Sequence, residues 1–380
     1  MPMISLRGRF IDVPNLRVIF AGGGTGGHLF PAIAIADEVK KLQPDSEFLF
    51  VGTKGKIEAR VVPEKGYSFR TIWISGFHRS LRLSNILFPL KVIVSFMQSI
   101  SIIKDFKPDA VVGTGGYVSG PVLRAATALK IPTLIQEQNS YPGATTRLLA
   151  KKVNEIHLTF ESSKKYFSGL EKVFITGNPT RGNLENVDLS CAYQYFGFDQ
   201  AEKLKTILVF GGSLGAHTIN QAVEKYIDQL IQRNVRIIWQ TGREDFLKAK
   251  DSTAKFLRNR VWVNTFIDRM DYAYAVSDLV LCRAGATTLA ELTRLGKPAL
   301  LVPYPHAAAN HQVENAKTML EANAAEILYD YEVSEKLLSV LLNLIESTKL
   351  EQMSKESKKL GKPNSAREIA QRVIKLARFN

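Results

Sequence analysis

From Leu16 onward the chain alternates short apolar runs with longer stretches whose apolar residues recur at helical spacing. Arg17-Val18-Ile19-Phe20-Ala21 and Glu47-Phe48-Leu49-Phe50-Val51 are apolar at consecutive positions, which predicts strands buried on both faces, as in a parallel sheet. Tyr67 to Ile74, Asp109-Ala110-Val111-Val112, Pro132-Thr133-Leu134-Ile135 and Lys172 to Thr176 read the same way. Phe30-Pro31-Ala32-Ile33-Ala34-Ile35-Ala36 reads as the opening of a helix with the proline near its first turn. Pro89 to Ile103 predicts a helix that is too polar and too short to span a bilayer, which takes about 20 apolar residues. Its part from Val92 to Ile103 is expected to pack on a sheet. Gly177-Asn178-Pro179-Thr180-Arg181 and the polar stretch Gly182 to Asp188 then mark a domain crossing. Beyond it the pattern restarts, with strands at Lys205 to Phe210, Arg236 to Gln240, Val261 to Val263, Leu279 to Cys282 and Ala299 to Val302. The tail from Asp330 is helical and charged. The expected division is an N-terminal domain over 1–178 and a C-terminal domain over 179–364, with a last helix over 365–380 packing back on the first domain.

Three strand-to-helix junctions are glycine-rich: Gly22-Gly23-Gly24-Thr25-Gly26-Gly27-His28, Gly113-Thr114-Gly115-Gly116-Tyr117-Val118-Ser119-Gly120-Pro121 and Gly211-Gly212-Ser213-Leu214-Gly215-Ala216. Such turns need positive φ without a Cβ, and the helix they open aims free N–H groups at an anion, commonly a phosphate. Gly22, Gly24 and Gly27 satisfy the spacing of a dinucleotide-binding fingerprint, but the second strand ends in Gly52-Thr53-Lys54 with no acid for a ribose, which disfavours a nicotinamide enzyme. Glu137 and Asn139 stand at a strand's carboxyl tip, where open α/β sheets bind ligands; they serve equally as turn and capping residues. The pattern implies two α/β halves with parallel sheets, their strand ends facing across a cleft that holds ligand.

Composition narrows the class. The chain has 380 residues, 45% hydrophobic and 23% charged, as an ordered globular protein does. Two cysteines, Cys191 and Cys282, give no disulfide framework. Met1 to Asn15 carries Arg7, Arg9 and Asp12 and does not read as a signal peptide. The net charge of +14 suits phosphorylated substrates, nucleic acid or anionic lipid. No zinc spacing or nucleic-acid motif accompanies it, so no nucleic-acid partner is expected. In the stretch Phe77 to Lys91, Leu81, Leu83, Ile86, Leu87 and Phe88 stand among Arg79, Arg82 and Lys91, which fits a contact with anionic lipid as well as an ordinary loop.

The three glycine turns, together with Glu137-Gln138-Asn139, Gly177-Asn178-Pro179-Thr180-Arg181, Cys282-Arg283-Ala284-Gly285-Ala286-Thr287-Thr288-Leu289-Ala290-Glu291 and Asn310-His311-Gln312, resemble the MurG family of glycosyltransferases from Leu16 to about Ala316. The resemblance implies a GT-B fold of two Rossmann-like domains facing across a deep cleft. It also implies inverting transfer of N-acetylglucosamine from UDP-GlcNAc to undecaprenyl-linked lipid I, peripheral placement on the cytoplasmic face of the bacterial inner membrane, contact with anionic inner-membrane lipid, possible cell-wall synthesis partners, and no resident cofactor or metal. The implied donor contacts are Thr25, Gly26, Gly27, Asn139, Arg181, Ser213, Ile267, Ala286, Thr287, Thr288, Leu289, Ala290, Glu291 and Gln312. Among them Glu291 would take the ribose hydroxyls, Ser213 a phosphate oxygen, and the Ile267 backbone the uracil. Gly23, Gly24, Gly115, Gly116 and Tyr117 would hold the acceptor's pyrophosphate. His28 is the candidate general base and Glu137 its rival. The chain departs from the family at Ala309, where an acid is common, and at His78, where an arginine is. Other GT-B enzymes, such as a diacylglycerol glycosyltransferase or a UDP-GlcNAc epimerase, and a non-catalytic lipid binder remain as alternatives.

Overall fold

The computed structural model describes residues 15–76, 87–180, 182, 184–212, 214–307 and 310–378. Two parallel sheets organise it. The first contains β1 (Arg17–Gly22), β2 (Glu47–Gly52), β3 (Ser68–Thr71), β4 (Ala110–Gly115), β5 (Thr133–Glu137), β6 (Glu155–Leu158) and β7 (Val173–Ile175), in the order β3-β2-β1-β4-β5-β6-β7. The second contains β8 (Lys205–Phe210), β9 (Val235–Gln240), β10 (Val261–Asn264), β11 (Leu279–Cys282), β12 (Ala299–Leu301) and β13 (Ala325–Ile327), in the order β10-β9-β8-β11-β12-β13. Both are doubly wound. The strand order reverses between β1 and β4 in one sheet and between β8 and β11 in the other, and ligands enter α/β sheets at such points.

Each sheet buries both faces. On one face of the first sheet Ile19, Val111, Ile135 and Ile156 pack with Val118, Val122 and Leu123 of the helix Gly116–Ala128. On the other, Val18, Phe20, Phe50 and Val112 pack with Leu29, Ile33 and Val39 of the helix Gly26–Leu42. Ile369, Ala370 and Val373 of the last helix, Ser365–Arg378, are buried in this second layer. The chain therefore leaves the first sheet at Gly177 and returns to it at its end.

Several elements differ from the sequence expectation. The first helix begins at Gly26, so Pro31 lies in its second turn and not its first. The ring removes one donor from the helix ladder there. β6 carries Glu155 and His157 into the interior, which hid it from an apolar reading; β13 is three residues long. The helix Phe88–Phe106 packs inward through Ser95, Ser99, Ile102 and Ile103, while Leu90, Ile93 and Met97 face outward.

Candidate active site

The first glycine turn links β1 to the helix Gly26–Leu42, and the second links β4 to the helix Gly116–Ala128. Gly24 (φ +86°), Gly115 (φ +103°) and Gly116 (φ +76°) occupy left-handed backbone, which L side chains rarely adopt. A Cβ on Gly115 would stand 2.7 Å from His28 Nδ1, and one on Gly116 would stand 2.6 Å from the Gly23 carbonyl. The two turns therefore close on each other, with the His28 ring laid against the second. Thr114 Oγ1 donates to the His28 carbonyl at 2.7 Å, and Ser119 Oγ donates to the Ala21 carbonyl at 2.6 Å. Tyr117 covers Gly24, whose Cβ would meet the Tyr117 ring at 3.2 Å.

Two of these amides serve the loops themselves. Gly24 N–H donates to Glu58 at 3.0 Å, and Gly115 N–H donates to Ser119 Oγ at 3.0 Å. Those two N–H groups are therefore engaged within the fold. Glu58, from the helix Ile57–Glu64, is buried and also accepts from Thr53 N and Thr53 Oγ1 at 3.1 and 2.9 Å. The carboxylate absent from the tip of β2 thus arrives one element later and turns toward the loop. Thr25 precedes the first helix, and Gly26 and Gly27 open it; N–H groups in a first helical turn have no partner within the helix.

The two candidates for general base differ in their surroundings. His28 is partly exposed, and its Nδ1 lies 3.1 Å from the Thr114 carbonyl and 3.0 Å from Gln138 Oε1. Glu137 is 4% exposed. Its Oε1 accepts from Asn139 N at 3.1 Å, and its Oε2 accepts from Gly143 N at 2.9 Å and Thr146 Oγ1 at 2.6 Å. A carboxylate so enclosed and so fully hydrogen-bonded anchors the turn into the helix Ala144–Leu149. These contacts support the turn-forming role for Glu137 that the sequence left open beside the catalytic one.

In the second domain the helix Ala286–Leu295 follows β11, with Gly285 ahead of it. Ala286, Thr287, Thr288, Leu289 and Ala290 form its first turns, at the β8/β11 switch point. Glu291 is 3% exposed, and its Oε2 accepts from Tyr274 Oη at 2.9 Å. Ile267 is in the core, and its N–H donates to Gln240 Oε1 at 2.9 Å, while Gln240 Nε2 donates to the Gly212 carbonyl at 2.8 Å. The Ile267 amide proton is therefore engaged within the fold, which leaves its carbonyl as the backbone group to consider for a base. Gln312 Oε1 accepts from Tyr304 N at 3.0 Å. Arg181, Ser213, His78 and Ala309, and residues 77–86 of the basic-apolar stretch, lie outside the described residues.

The two halves are joined at Asn315, which is fully buried. Its Oδ1 accepts from Ser140 N and Ser140 Oγ at 3.0 and 2.9 Å, and its Nδ2 lies 3.2 Å from the Ala284 carbonyl and 3.5 Å from Asn139 Oδ1. A line of hydrogen-bonded groups thus runs from His28 through Gln138 and its neighbour Asn139 to Asn315 and Ala284, just ahead of the helix that carries Glu291. Glu58, Gln240, Tyr274 and Asn315 escaped the sequence reading, and Gln138 entered it only within the motif Glu137-Gln138-Asn139, without a role. Asn315 left a signal, three residues after Gln312 and so on the same helix face. Among the described residues no group of three or more His, Cys, Asp or Glu side chains gathers at metal-binding distances.

Residues 18–158 match the family model for the glycosyltransferase family 28 N-terminal domain, and residues 206–373 that for the glycosyltransferase family 28 C-terminal domain. The chain is similar to a Flavobacterium psychrophilum protein named UDP-N-acetylglucosamine–N-acetylmuramyl-(pentapeptide) pyrophosphoryl-undecaprenol N-acetylglucosamine transferase. The two are 43% identical over 363 residues, 95% of this chain and 97% of that one. The crystal structure of Acinetobacter baumannii MurG superposes with a TM-score of 0.76 at 28% identity, covering 95% of this chain and 99% of that one. A UDP-GlcNAc 2-epimerase from Neisseria meningitidis, bound to UDP-GlcNAc, superposes with a TM-score of 0.65 at 17% identity over 95% of this chain and 100% of that one, and at that identity shares the fold alone.

Proposed function

The chain belongs to the MurG family of GT-B glycosyltransferases, and from that premise we infer that it moves N-acetylglucosamine from UDP-GlcNAc to the C4 hydroxyl of undecaprenyl-pyrophosphoryl-N-acetylmuramyl pentapeptide. Lipid I becomes lipid II. The observation that carries the reading is the hydrogen-bonded junction at Asn315, which sets the His28 side of one domain against the helix Ala286–Leu295 of the other.

In this mechanism the acceptor hydroxyl gives its proton to His28 Nε2. The oxygen's electron pair forms the bond to the anomeric carbon, and the anomeric C–O bond breaks with its pair leaving on UDP. The departing diphosphate gains charge, and the first-turn amides and dipole of the helix Ala286–Leu295 favour it there. Glu291, fixed by Tyr274, takes the ribose hydroxyls as a double acceptor. Gln312 and Asn139 read the sugar. Thr25, Gly26 and Gly27 at the start of the first helix contact the donor, and the turns holding Gly23, Gly24, Gly115, Gly116 and Tyr117 meet the acceptor's pyrophosphate.

The enzyme works at the membrane surface. No described helix is long and apolar enough to cross a bilayer. Leu90, Ile93 and Met97 form an outward apolar stripe on the helix Phe88–Phe106, with Trp73 beside it and Lys91 over the Trp73 ring. Apolar side chains with a lysine among them suit a contact with anionic inner-leaflet lipid on the cytoplasmic side.

The test is a transfer assay with UDP-GlcNAc and a soluble lipid I analogue. Stoichiometric UDP and a GlcNAc-extended acceptor are expected; consumption of UDP-GlcNAc without acceptor would select the epimerase reading instead. His28→Ala is expected to lower kcat by roughly 10²- to 10⁴-fold with little change in KM for the donor.

A further inference from the structure

The two groups hydrogen-bonded to His28 Nδ1 are both placed as acceptors. The Thr114 carbonyl, at 3.1 Å, can only accept. Gln138 presents either an oxygen or an amine depending on how its amide is turned, and its surroundings decide which. Gln138 Nε2 lies 2.7 Å from the Thr114 carbonyl, 3.1 Å from the Gln136 carbonyl, and within hydrogen-bond distance of Gln136 Oε1. Turning the amide over would set its oxygen against those acceptors. Gln138 is 2% exposed and Gln136 fully buried, so a mismatch there would go unrelieved by water. The oxygen of Gln138 must therefore face His28, at 3.0 Å.

We propose that Gln138 is a positioning residue for glycosyl transfer: it holds His28 as the Nδ1–H tautomer, so that Nε2 keeps its lone pair toward the acceptor hydroxyl. The proposal rests on the reading of His28 as the base. A neutral imidazole has one donor and one acceptor nitrogen, and only the acceptor can take a proton. When Nε2 becomes protonated, Nδ1–H stays bonded to Gln138 Oε1 and Thr114 O, and both dipoles stabilise the imidazolium as charge forms. Gly115 completes the arrangement, because a side chain there would push the ring away from both acceptors.

The experiment is ¹⁵N NMR of the histidine-labelled protein, with the His28 signals assigned by their loss in His28→Gln. In the wild type, above the imidazole pKa, Nδ1 is expected protonated and Nε2 bare. Gln138→Met keeps length and removes the acceptor. It is expected to give a tautomer mixture and about a tenfold fall in kcat, the worth of one hydrogen bond, with KM for UDP-GlcNAc within about twofold. Gln138→Glu places a carboxylate against the imidazolium and should move the acid limb of the pH–kcat profile upward by about one unit or more. A wild-type His28 carrying its proton on Nε2 overturns the proposal whether or not the variants fold. So does Gln138→Met with unchanged tautomer and kcat. If His28→Ala keeps full turnover, the reading of the base fails and this proposal with it. If His28→Ala loses turnover while Gln138→Met does not, the proposal alone fails.

Discussion

Glu137 stands at the tip of a central strand, one residue before the glutamine that touches His28, and its chemistry is decided by what surrounds it. Three donors, Asn139 N, Gly143 N and Thr146 Oγ1, converge on its two oxygens. Gln in its place would turn an NH₂ group against at least one backbone N–H and leave that donor unpaired. Glu137→Gln is expected to cost about 2 kcal/mol, read as a fall in Tm by thermal unfolding, with less than a tenfold loss of kcat. A general base would give the opposite pair of results, a loss of roughly 10²-fold or more in kcat at unchanged Tm. The glycine turns were legible because positive φ leaves a mark in the residue type: Gly24, Gly115, Gly116, Gly212 and Gly215 all adopt it. The groups that finish the site were not, since Glu58 reaches Gly24 across 34 residues and Gln138 reaches His28 across 110. No local spacing encodes pairings that distant.

Among the elements, the helix Phe88–Phe106 inverts the usual arrangement. Its inward face includes Ser95 and Ser99, which are small and satisfy their hydroxyls on the helix's own carbonyls, Ser95 on Val92 and Ser99 on Ser95. Small residues let it lie close to the neighbouring helix Gly116–Ala128, and the larger apolar side chains at Leu90, Ile93 and Met97 are left outside. A helix was predictable here, but its inward face was not, because apolar residues surround the axis and periodicity offers little contrast. The strands were easier to see. Those of the β1/β4 and β8/β11 centres are buried on both faces and read as continuous apolar runs, whereas β6 hides a Glu and a His inside. The outward stripe leads to a test that separates stability from membrane contact. Leu90→Ser, Ile93→Ser and Met97→Ser combined are each surface changes, expected within about 0.5 kcal/mol per site, so Tm should hold. Co-sedimentation with vesicles rich in anionic lipid should fall at least about tenfold, since each apolar side chain contributes about 0.8 kcal/mol per buried methylene. Equal sedimentation of variant and wild type would remove this face as the membrane contact.

At the scale of the molecule, the chain's end ties its two domains together. The helix Ser365–Arg378 belongs by position to the second domain, yet it buries Ile369, Ala370 and Val373 against the first sheet's helix and strands. A polar clamp fixes its rotation. Arg372 donates through Nε and Nη2 to the two oxygens of Glu155 on β6 and lies over the Phe174 ring, while Glu155 Oε2 also pairs with His157 Nε2 at 3.0 Å. Burial pushes the Glu155 carboxyl up, but hydrogen bonds from His157 and Arg372 outweigh it and hold the group below its usual value of 4.5. The unfolded chain then binds the proton more readily than the folded one as pH falls. The stability this carboxylate contributes is therefore present above the unfolded value and is lost as pH drops through the lower, folded one. Melting of the wild type, followed by near-ultraviolet circular dichroism, should show a Tm that falls as acid is added below about pH 4.5. Arg372→Leu keeps the apolar stem and removes the fork, so it should lower Tm at neutral pH and make the acid limb shallower, because less of the depression remains to be lost. Ile369→Ala should cost about 2–5 kcal/mol in cavity and transfer free energy, lower Tm by a similar number of degrees at every pH, and leave the acid limb unchanged. An acid limb as steep in Arg372→Leu as in the wild type would place the pH sensitivity elsewhere and reduce the clamp to packing.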